Sequence, residues 1–241
     1  MKTINELLSE IDKLKPIAGM AFSDINRVKF ISFIKDMTGT EAKILHPNKS
    51  SLDSSKVDID YTNIDNIRNT WDFILSAPAD TILDSYAIRD IHKNLCKNTE
   101  NTEGGIYRTN NSYALRRQSP SFPKILYKIE DATYKMSADY AANTHTVIRA
   151  IETHSDLIEA QAFRDFNKRT ARLIMNWFLI KNGYTPIIFD APTDKAEYME
   201  SIRANLDGDT EKYTKYMLES MLRTQRDIIT VIRNNTKPFA K

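Results

Sequence analysis

The fold of this chain is decided by one stretch and by the apolar residues that follow it. The stretch reads Phe163-Arg164-Asp165-Phe166-Asn167-Lys168-Arg169-Thr170-Ala171-Arg172. Almost every later position is apolar: Leu173, Ile174, Met175, Trp177, Phe178, Leu179 and Ile180. A helix without a polar face belongs in the middle of a domain, and Asn182-Gly183 is a typical stop signal. The pattern predicts a buried helix, Thr170–Lys181, at the centre of the fold.

The beginning of this helix has the chemistry of a phosphate site. A helix N-terminus carries unpaired backbone N–H groups and roughly half a positive charge, so it binds anions. Arg169 and Arg172 lie three residues apart, on one side of the first turn, where they could clamp phosphate oxygens. Asp165 offers the oxygen ligands that a phosphate-bound Mg²⁺ prefers. The residues alone indicate a polyphosphate site with a metal ligand.

The same stretch resembles the motif of the Fic/Doc (Fido) family, H-x-F-x-[DE]-G-N-G-R-x-x-R. The matching residues are Phe163, Asp165, Asn167, Arg169 and Arg172. Three positions depart from the motif: Gln161 stands where the family has its catalytic His, Phe166 replaces the first Gly, and Lys168 replaces the second. A lysine at that position is similar to the Doc branch.

A second resemblance precedes the motif. Residues 104–116 are short, partly alternating and β-like, with Asn110-Asn111 as a plausible tight turn. They resemble the Fic flap, a β-hairpin that holds a target segment by strand addition. The resemblance assigns target binding to Ile106, Tyr107, Arg108, Thr109, Asn110, Asn111, Ser112 and Tyr113. His92 resembles the family's Leu-His before the flap, although a histidine there is more often a capping or core-edge residue.

The remaining pattern predicts a mainly helical protein with a small β-hairpin near residues 106–116, and the resemblance implies that this is the all-α Fic/Doc fold with its flap. Apolar residues recur at helical spacing, and the chain has only six glycines, which argues against a Rossmann-type chain. We expect an N-terminal helical extension at residues 1–60, a Fic/Doc-like core at 61–222, and a C-terminal helix end with a basic tail at 223–241.

Composition excludes several classes of function. The net charge of +2 and the charged fraction of 27% imply no strong field toward nucleic acid or a membrane. No run of about eighteen apolar residues predicts a membrane span, and the N-terminus lacks an apolar signal core. One cysteine, Cys96, fits a reducing compartment. We expect a cytoplasmic protein of bacterial type, and secretion as an effector stays open.

The resemblance implies a reaction and its cofactors. The family transfers AMP from ATP, with Mg²⁺, to a hydroxyl of a target protein, whereas Doc-like members transfer phosphate. The nucleotide-binding set would be Asp165, Phe166, Asn167, Lys168, Arg169 and Arg172. Within it, Asp165 would bind Mg²⁺, Arg169 would hold an inner phosphate and Arg172 the outer one. A separate inhibitory protein stays open as a further partner. The family's inhibitory pattern matches only at residues 99–104, and we interpret this match as accidental, because a protein without the catalytic His needs no such inhibition.

The catalytic base is missing from the motif. Gln161 does not accept a proton at neutral pH, and His154 lies seven residues upstream, about 10 Å away on a continuous helix. Three interpretations stay open. The protein is a nucleotide-binding Fic protein with little or no activity, an active AMP or phosphate transferase that uses another base, or a helical protein-interaction module with an unused site.

Overall fold

A computed structural model of the protein describes residues 2–15, 54–78, 80–99, 103–142, 144–189 and 194–235. The elements in order are α1 (residues 4–15), α2 (Ser54–Ser76), α3 (Ser85–Leu95), β1 (Tyr113–Ala114), β2 (Arg117–Gln118), α4 (Phe122–Met136), a 3-10 turn (Ala138–Ala142), α5 (Thr146–Ala160), α6 (Asn167–Lys181), α7 (Asp194–Leu206) and α8 (Thr210–Asn235). Tyr113 pairs with Gln118 and Ala114 with Arg117, antiparallel. The predicted class, mainly helical with a small β-hairpin, is confirmed.

The chain divides into two compact units. One is drawn from Met1–Asp36 together with Leu179–Lys241, and the other from Met37–Phe178. The division into residues 1–60, 61–222 and 223–241 stays a prediction, and residues 16–53 of the proposed extension lie outside the described residues. Helix α2, however, runs across residue 60 without a break.

Helix α6 fulfils the expectation of a buried central helix. It begins at Asn167, three residues earlier than predicted, and ends at Lys181. Its middle residues are almost inaccessible to solvent, namely Leu173, Ile174, Met175, Trp177, Phe178 and Leu179. A helix that is apolar on all sides is stabilised fully only when every side is covered. For this reason the apolar pattern of α6 predicted its burial.

Helices α3 and α5 lie in the unit Met37–Phe178 and lead to the motif stretch. Helix α3 begins at an Asp84 cap, whose Oδ1 accepts N–H groups from Tyr86 and Ala87 at 2.9 Å each. Its inner face is apolar except for one ring: Ala87, Ile88, Ile91, His92 and Leu95. Helix α4 packs along α5, and α5 ends where the motif begins. The two helix ends thus place His92 and Gln161 beside the N-terminus of α6.

Buried charges fix the contact between α4 and α5. Lys135 bonds both Asp131 and Asp156, and these carboxylates raise the pKa of Lys135 to about 12 against the opposing effect of its burial. Arg149 donates its Nε to the Lys135 carbonyl at 2.8 Å, close to the end of α4. The lysine therefore stays charged at neutral pH and α5 is held in register.

The other unit is held by α1, α7 and α8. Tyr184 donates its hydroxyl to Asp12 at 2.9 Å, and Gln225 donates its amide to the Ile11 carbonyl at 3.3 Å. Helix α7 packs against α8. Across the stretches that the structure describes, no helix combines the length and hydrophobicity that crossing a membrane requires.

Candidate nucleotide site

Gln161 ends helix α5 in a left-handed conformation. Its φ and ψ are 42° and 50°, so it turns the chain from α5 into the motif. Its amide Nε2 donates to the Ile158 carbonyl at 2.7 Å. The side chain therefore caps its own helix and presents an amide, which cannot take a proton, at the position that the resemblance gives to a base.

Residues 161–166, which we call the motif loop, are closed by Asn167. The amide of Asn167 accepts the Phe163 N–H through Oδ1 and donates to the Phe163 carbonyl through Nδ2, both at 2.8 Å. Asn167 is also the first residue of α6, and its side chain is buried. Its side chain thus shapes the loop, and any direct contact with phosphate is left to the backbone.

Phe166 occupies a backbone conformation that favours glycine. Its φ is 54°, and a non-glycine residue there is strained by about 1–2 kcal/mol. Its carbonyl accepts the Thr170 N–H at 2.9 Å, which begins the hydrogen bonding of α6. The Arg169 guanidinium lies 4.5 Å from the ring centroid, a cation–π distance. The contact between the Phe166 ring and Arg169 offsets the backbone strain at residue 166, which a glycine would not have.

Asp165 is the candidate metal ligand. Its side chain is exposed, and Oδ1 accepts the Phe166 N–H at 2.7 Å. Within the described ranges, no group of three or more His, Cys, Asp or Glu side chains could hold a metal. A single exposed carboxylate fits Mg²⁺, which keeps several waters and is held mainly by substrate phosphates, and it does not fit a metal that the protein holds alone.

The two motif arginines lie deeper than the sequence suggested. Arg169 is 5% exposed and Arg172 is 2% exposed, whereas Lys168 is half-buried. Arg169 also donates Nη1 to Asn63 Oδ1 at 3.4 Å. The pKa of His154 falls to about 3, first through burial and then through the charge of Arg172. The charge of Arg172 therefore acts on α5 as well as on the helix start.

Neither of the described histidines on α5 can stand in for a motif base. His154 is inaccessible to solvent, with its pKa lowered as above. His145 lies at the opposite end of α5, where its Nδ1 accepts the Val147 N–H at 3.2 Å. Neither histidine therefore replaces the missing base at Gln161.

The burial of His154 gives a prediction for acid. Its pKa is 6.5 in the unfolded chain and about 3 in the fold, so the unfolded state binds the proton more tightly. Above pH 6.5, His154 should not lower the free energy of unfolding. Below pH 6.5, protonation of His154 in the unfolded chain should lower the free energy of unfolding by about 1.4 kcal/mol per pH unit. Urea unfolding between pH 7.5 and 4.5 measures the slope. In a His154→Gln variant, the slope of the free energy of unfolding against pH should be smaller by the contribution of one proton. A slope equal to that of the parent would contradict the assignment.

His92 lies at the junction of α3, the flap and the motif loop. Its side chain is inaccessible to solvent, and its ring stacks on Phe163 with centroids 3.7 Å apart and 5° between planes. Nδ1 accepts the Gly105 N–H at 2.9 Å, and Nε2 lies 3.2 Å from the Asp165 carbonyl oxygen. Burial lowers the pKa of His92 to about 4, although Asp165 opposes the shift. The ring is therefore neutral at physiological pH.

The flap, residues 106–118, differs in its turn from the sequence prediction. The turn lies at Leu115-Arg116, not at Asn110-Asn111, because the paired strands are 113–114 and 117–118. Leu115 and Arg116 have φ of 54° and 64°, the signs of a type I′ hairpin turn. The residues assigned to target binding divide by exposure: Ile106, Thr109, Asn110, Asn111 and Tyr113 are exposed, and Tyr107 and Ser112 are half-buried.

The exception among those residues is Arg108, which is buried and whose guanidinium is engaged by backbone carbonyls. Its guanidinium donates to three backbone carbonyls at short distance, those of Asn110 at 2.6 Å, Pro120 at 2.8 Å and Gln161 at 2.6 Å, and lies 3.5 Å from a fourth, that of Ala160. Its own N–H donates to the Ala162 carbonyl at 2.9 Å. Arg108 therefore attaches the base of the flap to the end of α5 and the motif loop. This corrects its assignment to the target-binding surface.

The strained turn gives a second prediction. Replacing Leu115 and Arg116 by Asn and Gly supplies the residues that a type I′ turn prefers. The hairpin should then open less easily, by about 1 kcal/mol, and amide exchange at the strand pair should slow about fivefold. Arg116→Ala, which keeps a Cβ in the left-handed region, is the matched control and should change little. Equal exchange rates in the Asn-Gly variant and the parent would contradict this turn geometry.

This arrangement of helices is shared with solved Fic proteins. Fic-1 (residues 134–508) from C. elegans superposes with a TM-score of 0.80 and 16% identity, covering 97% of this chain and 74% of that one. A Fic domain signalling protein from Bacteroides thetaiotaomicron gives a TM-score of 0.74 and 18% identity, with 97% of both chains covered. IbpAFic2 covalently tethered to Cdc42 gives 0.55 and 14% identity, covering 92% and 70%. The fold is thus that of the Fic proteins.

Sequence comparison adds the family to the fold. Residues 82–179 match the model of the Fic/DOC family. The protein adenylyltransferase fic-1 of C. elegans is 29% identical over 131 residues, which is 54% of this chain and 25% of that relative. The chain therefore spans about a quarter of the length of that curated relative. The resemblance predicted from the motif is confirmed over residues 82–179, where the chain matches the model of the Fic/DOC family.

Proposed function

We propose that this protein binds ATP with Mg²⁺ at the N-terminus of α6 and transfers AMP to a protein hydroxyl weakly or not at all. The observation that carries the proposal is Gln161, an amide bonded to its own helix at the position of the family's catalytic His. Loss of a general base lowers a rate by about a hundredfold to ten-thousandfold. The structure of the phosphate site does not depend on that base, so binding and catalysis separate.

Nucleotide binding rests on the electrostatics of the helix start. The N-terminus of α6 brings partial positive charge to the motif loop, and Lys168 and Arg169 add two cations in the first turn. Asn167 holds the loop closed around Phe163, so the backbone is already shaped before a ligand arrives. Arg172, deeper in the helix, would reach an outer phosphate only from within the fold. A polyphosphate is the anion that suits several cations in one turn.

The metal would be held by Asp165. When bound, Mg²⁺ neutralises phosphate charge and orients the phosphate chain. The carboxylate of Asp165 is placed one residue before Phe166 and bonded to its N–H, so it is oriented toward the start of α6. A metal ligand at Asp165 agrees with the relatives that are named protein adenylyltransferases. On this ground we propose that this chain also binds a nucleotide.

A quantitative prediction tests the binding site. Arg169→Ala should weaken ATP binding by about 1–3 kcal/mol, because a charge-assisted hydrogen bond and its electrostatic support are removed. Isothermal titration calorimetry with ATP and Mg²⁺ measures the loss. Arg164→Ala is the matched control, since Arg164 lies on the same loop with a 56% exposed side chain and only a 3.9 Å contact with Glu103. Equal affinities in the parent and Arg169→Ala would count against the site.

A second candidate function is transfer of phosphate, as in the Doc branch. Lys168 favours it, because a cation there fills space that the family's Gly leaves open and changes how ATP lies. The two transfers are distinguished by the labelled position: AMP transfer moves an α-phosphate label to protein, and phosphate transfer moves a γ-phosphate label. Label from either position on a lysate protein with the parent chain would show that another group serves as base.

The flap is the proposed docking surface for the target protein. Ile106 and Tyr113 expose 53% and 74% of their surface, and the short strands leave backbone groups at the hairpin edge for strand addition. A solved Fic structure holds Cdc42 as its tethered partner, which supports a protein target for this fold. If ATP does not bind and a protein partner does, the interaction-module interpretation replaces the enzyme. A separate inhibitory protein remains part of the proposal.

A further inference from the structure

His92 contacts both parts of the candidate site through opposite sides of one ring. We propose that His92 is a positioning residue that couples the flap to the motif loop, because its ring nitrogens bond Gly105 at the flap base and Asp165 in the loop. The two hydrogen bonds measure 2.9 Å and 3.2 Å. Gly105 directly precedes the flap, and Asp165 lies two residues before Asn167, where α6 begins.

One tautomer satisfies both bonds. Gly105 donates its N–H to Nδ1, so Nδ1 carries no proton, and the ring proton is on Nε2, from which it is donated to the Asp165 carbonyl. Cys96 Sγ lies 3.6 Å from Nδ1 and 3.4 Å from Nε2, and Phe163 covers one face of the ring. Because the ring is packed on its face and edge, it cannot rotate away from one bond while keeping the other.

The flap base is also fixed on the side facing α3. Arg89 donates Nε to the Gly105 carbonyl at 2.7 Å, and a Cβ on Gly105 would lie 2.9 Å from the Arg89 carbonyl oxygen. With a φ of +75°, this position requires glycine. A movement of Gly105 therefore has few directions open to it, and the ring of His92 transmits that movement to Asp165.

The coupling has a consequence for ligands that rests on the proposed function. If the target docks on the flap and ATP binds at α6, each should change the affinity of the other by the same factor. The bond between His92 and the two segments does not rest on that function, because it joins parts of the chain without any ligand. The two claims can therefore fail separately.

A double-mutant cycle on the full-length chain tests the coupling without nucleotide. Asn167→Ala opens the motif loop by removing both bonds to Phe163, and the readout is amide hydrogen exchange at Gly105, on the other side of His92. We expect Asn167→Ala to speed this exchange about tenfold in the parent background. His92→Asn keeps an acceptor for the Gly105 N–H and removes the donor to Asp165, so there Asn167→Ala should change the exchange less than twofold.

The opposite outcomes are equally defined. The same acceleration in both backgrounds, or no acceleration in the parent, would overturn the coupling. Nitrogen-15 spectra of the parent provide an independent measurement that needs no variant: the account requires a neutral His92 ring protonated at Nε2, and a ring protonated at Nδ1 would overturn it. Failure of the parent to bind ATP would refute the proposed function and leave the cycle readable.

Discussion

Gln161→His is expected to raise transfer from ATP to a protein hydroxyl by about a hundredfold or more, the contribution of a positioned general base. The substitution places an imidazole at the end of α5, at the first residue of the motif loop. The measurement is the rate of label transfer from ATP to protein in a bacterial lysate, compared at saturating ATP so that binding does not enter.

The backbone at residue 161 accepts the new side chain. Its left-handed conformation, with φ at 42°, is one in which histidine is enriched relative to most residues. The bond from Gln161 Nε2 to Ile158 is lost, which frees the imidazole to turn toward an acceptor. Gln161→Asn is the matched control, because it tolerates the same conformation and supplies no base, and it should stay inactive.

Lys168 determines which label to follow. Both α- and γ-labelled ATP should be used, with Gln161→His alone and combined with Lys168→Gly. If the α-label is transferred by the double variant and not by Gln161→His alone, then Lys168 determines how ATP is oriented and Gln161 is the cause of the inactivity. No transfer in either variant, with ATP bound, would mean that the site has lost more than one group, and the interaction-module interpretation would then lead.

Arg108→Ala is expected to destabilise the fold by about 2–4 kcal/mol. Arg108 is buried and its guanidinium donates to three carbonyls in part-buried hydrogen bonds, so its removal takes the donors from these acceptors and detaches the flap from α5. Urea unfolding measures the loss, and amide exchange should rise in both the flap and the motif loop.

Two controls separate the network of Arg108 from its charge. Arg108→Lys keeps the charge but cannot span three acceptors, so it should lose most of the same stability. Arg116→Ala removes an exposed arginine from the same flap and should be nearly neutral. If Arg108→Ala were as stable as Arg116→Ala, the carbonyl contacts would carry no stability and the attachment would be wrong.

The sequence alone predicted the parts of the fold that depend on a local pattern of residues. Helix α6 is apolar at every position from Leu173 to Leu179 except Asn176, and these residues are buried. The motif spacing around Asn167 predicted where the helix begins, to within three residues of Asn167. The family and the helical class followed from the same stretch.

The hairpin turn could not be predicted in the same way. Asn110-Asn111 has the composition of a tight turn, whereas Leu115-Arg116 has none of its preferred residues and yet has positive φ at both positions. The attachment of Arg108 to the motif loop, which limits where the flap can lie, is a tertiary contact. Local propensity therefore identified the segment and misplaced its turn.

Roles that depend on distant backbone groups were also beyond the sequence. The sequence indicated a capping or core-edge role for His92, but its partners Gly105 and Asp165 lie 13 and 73 residues away. The depth of Arg169 and Arg172 is another such case, because spacing gives the face of a helix and not what covers it. The sequence predicted candidate residues for the site, and packing determines how deeply each of them is buried.

The most direct test of the account is a crystal of the full-length chain soaked in ATP and Mg²⁺. The account predicts electron density for the phosphates at the N-terminus of α6, in contact with the backbone at Asn167 and the Arg169 side chain, with the metal beside Asp165. Solvent alone at that position, in crystals soaked at saturating ATP and with the site open to a solvent channel, would contradict it.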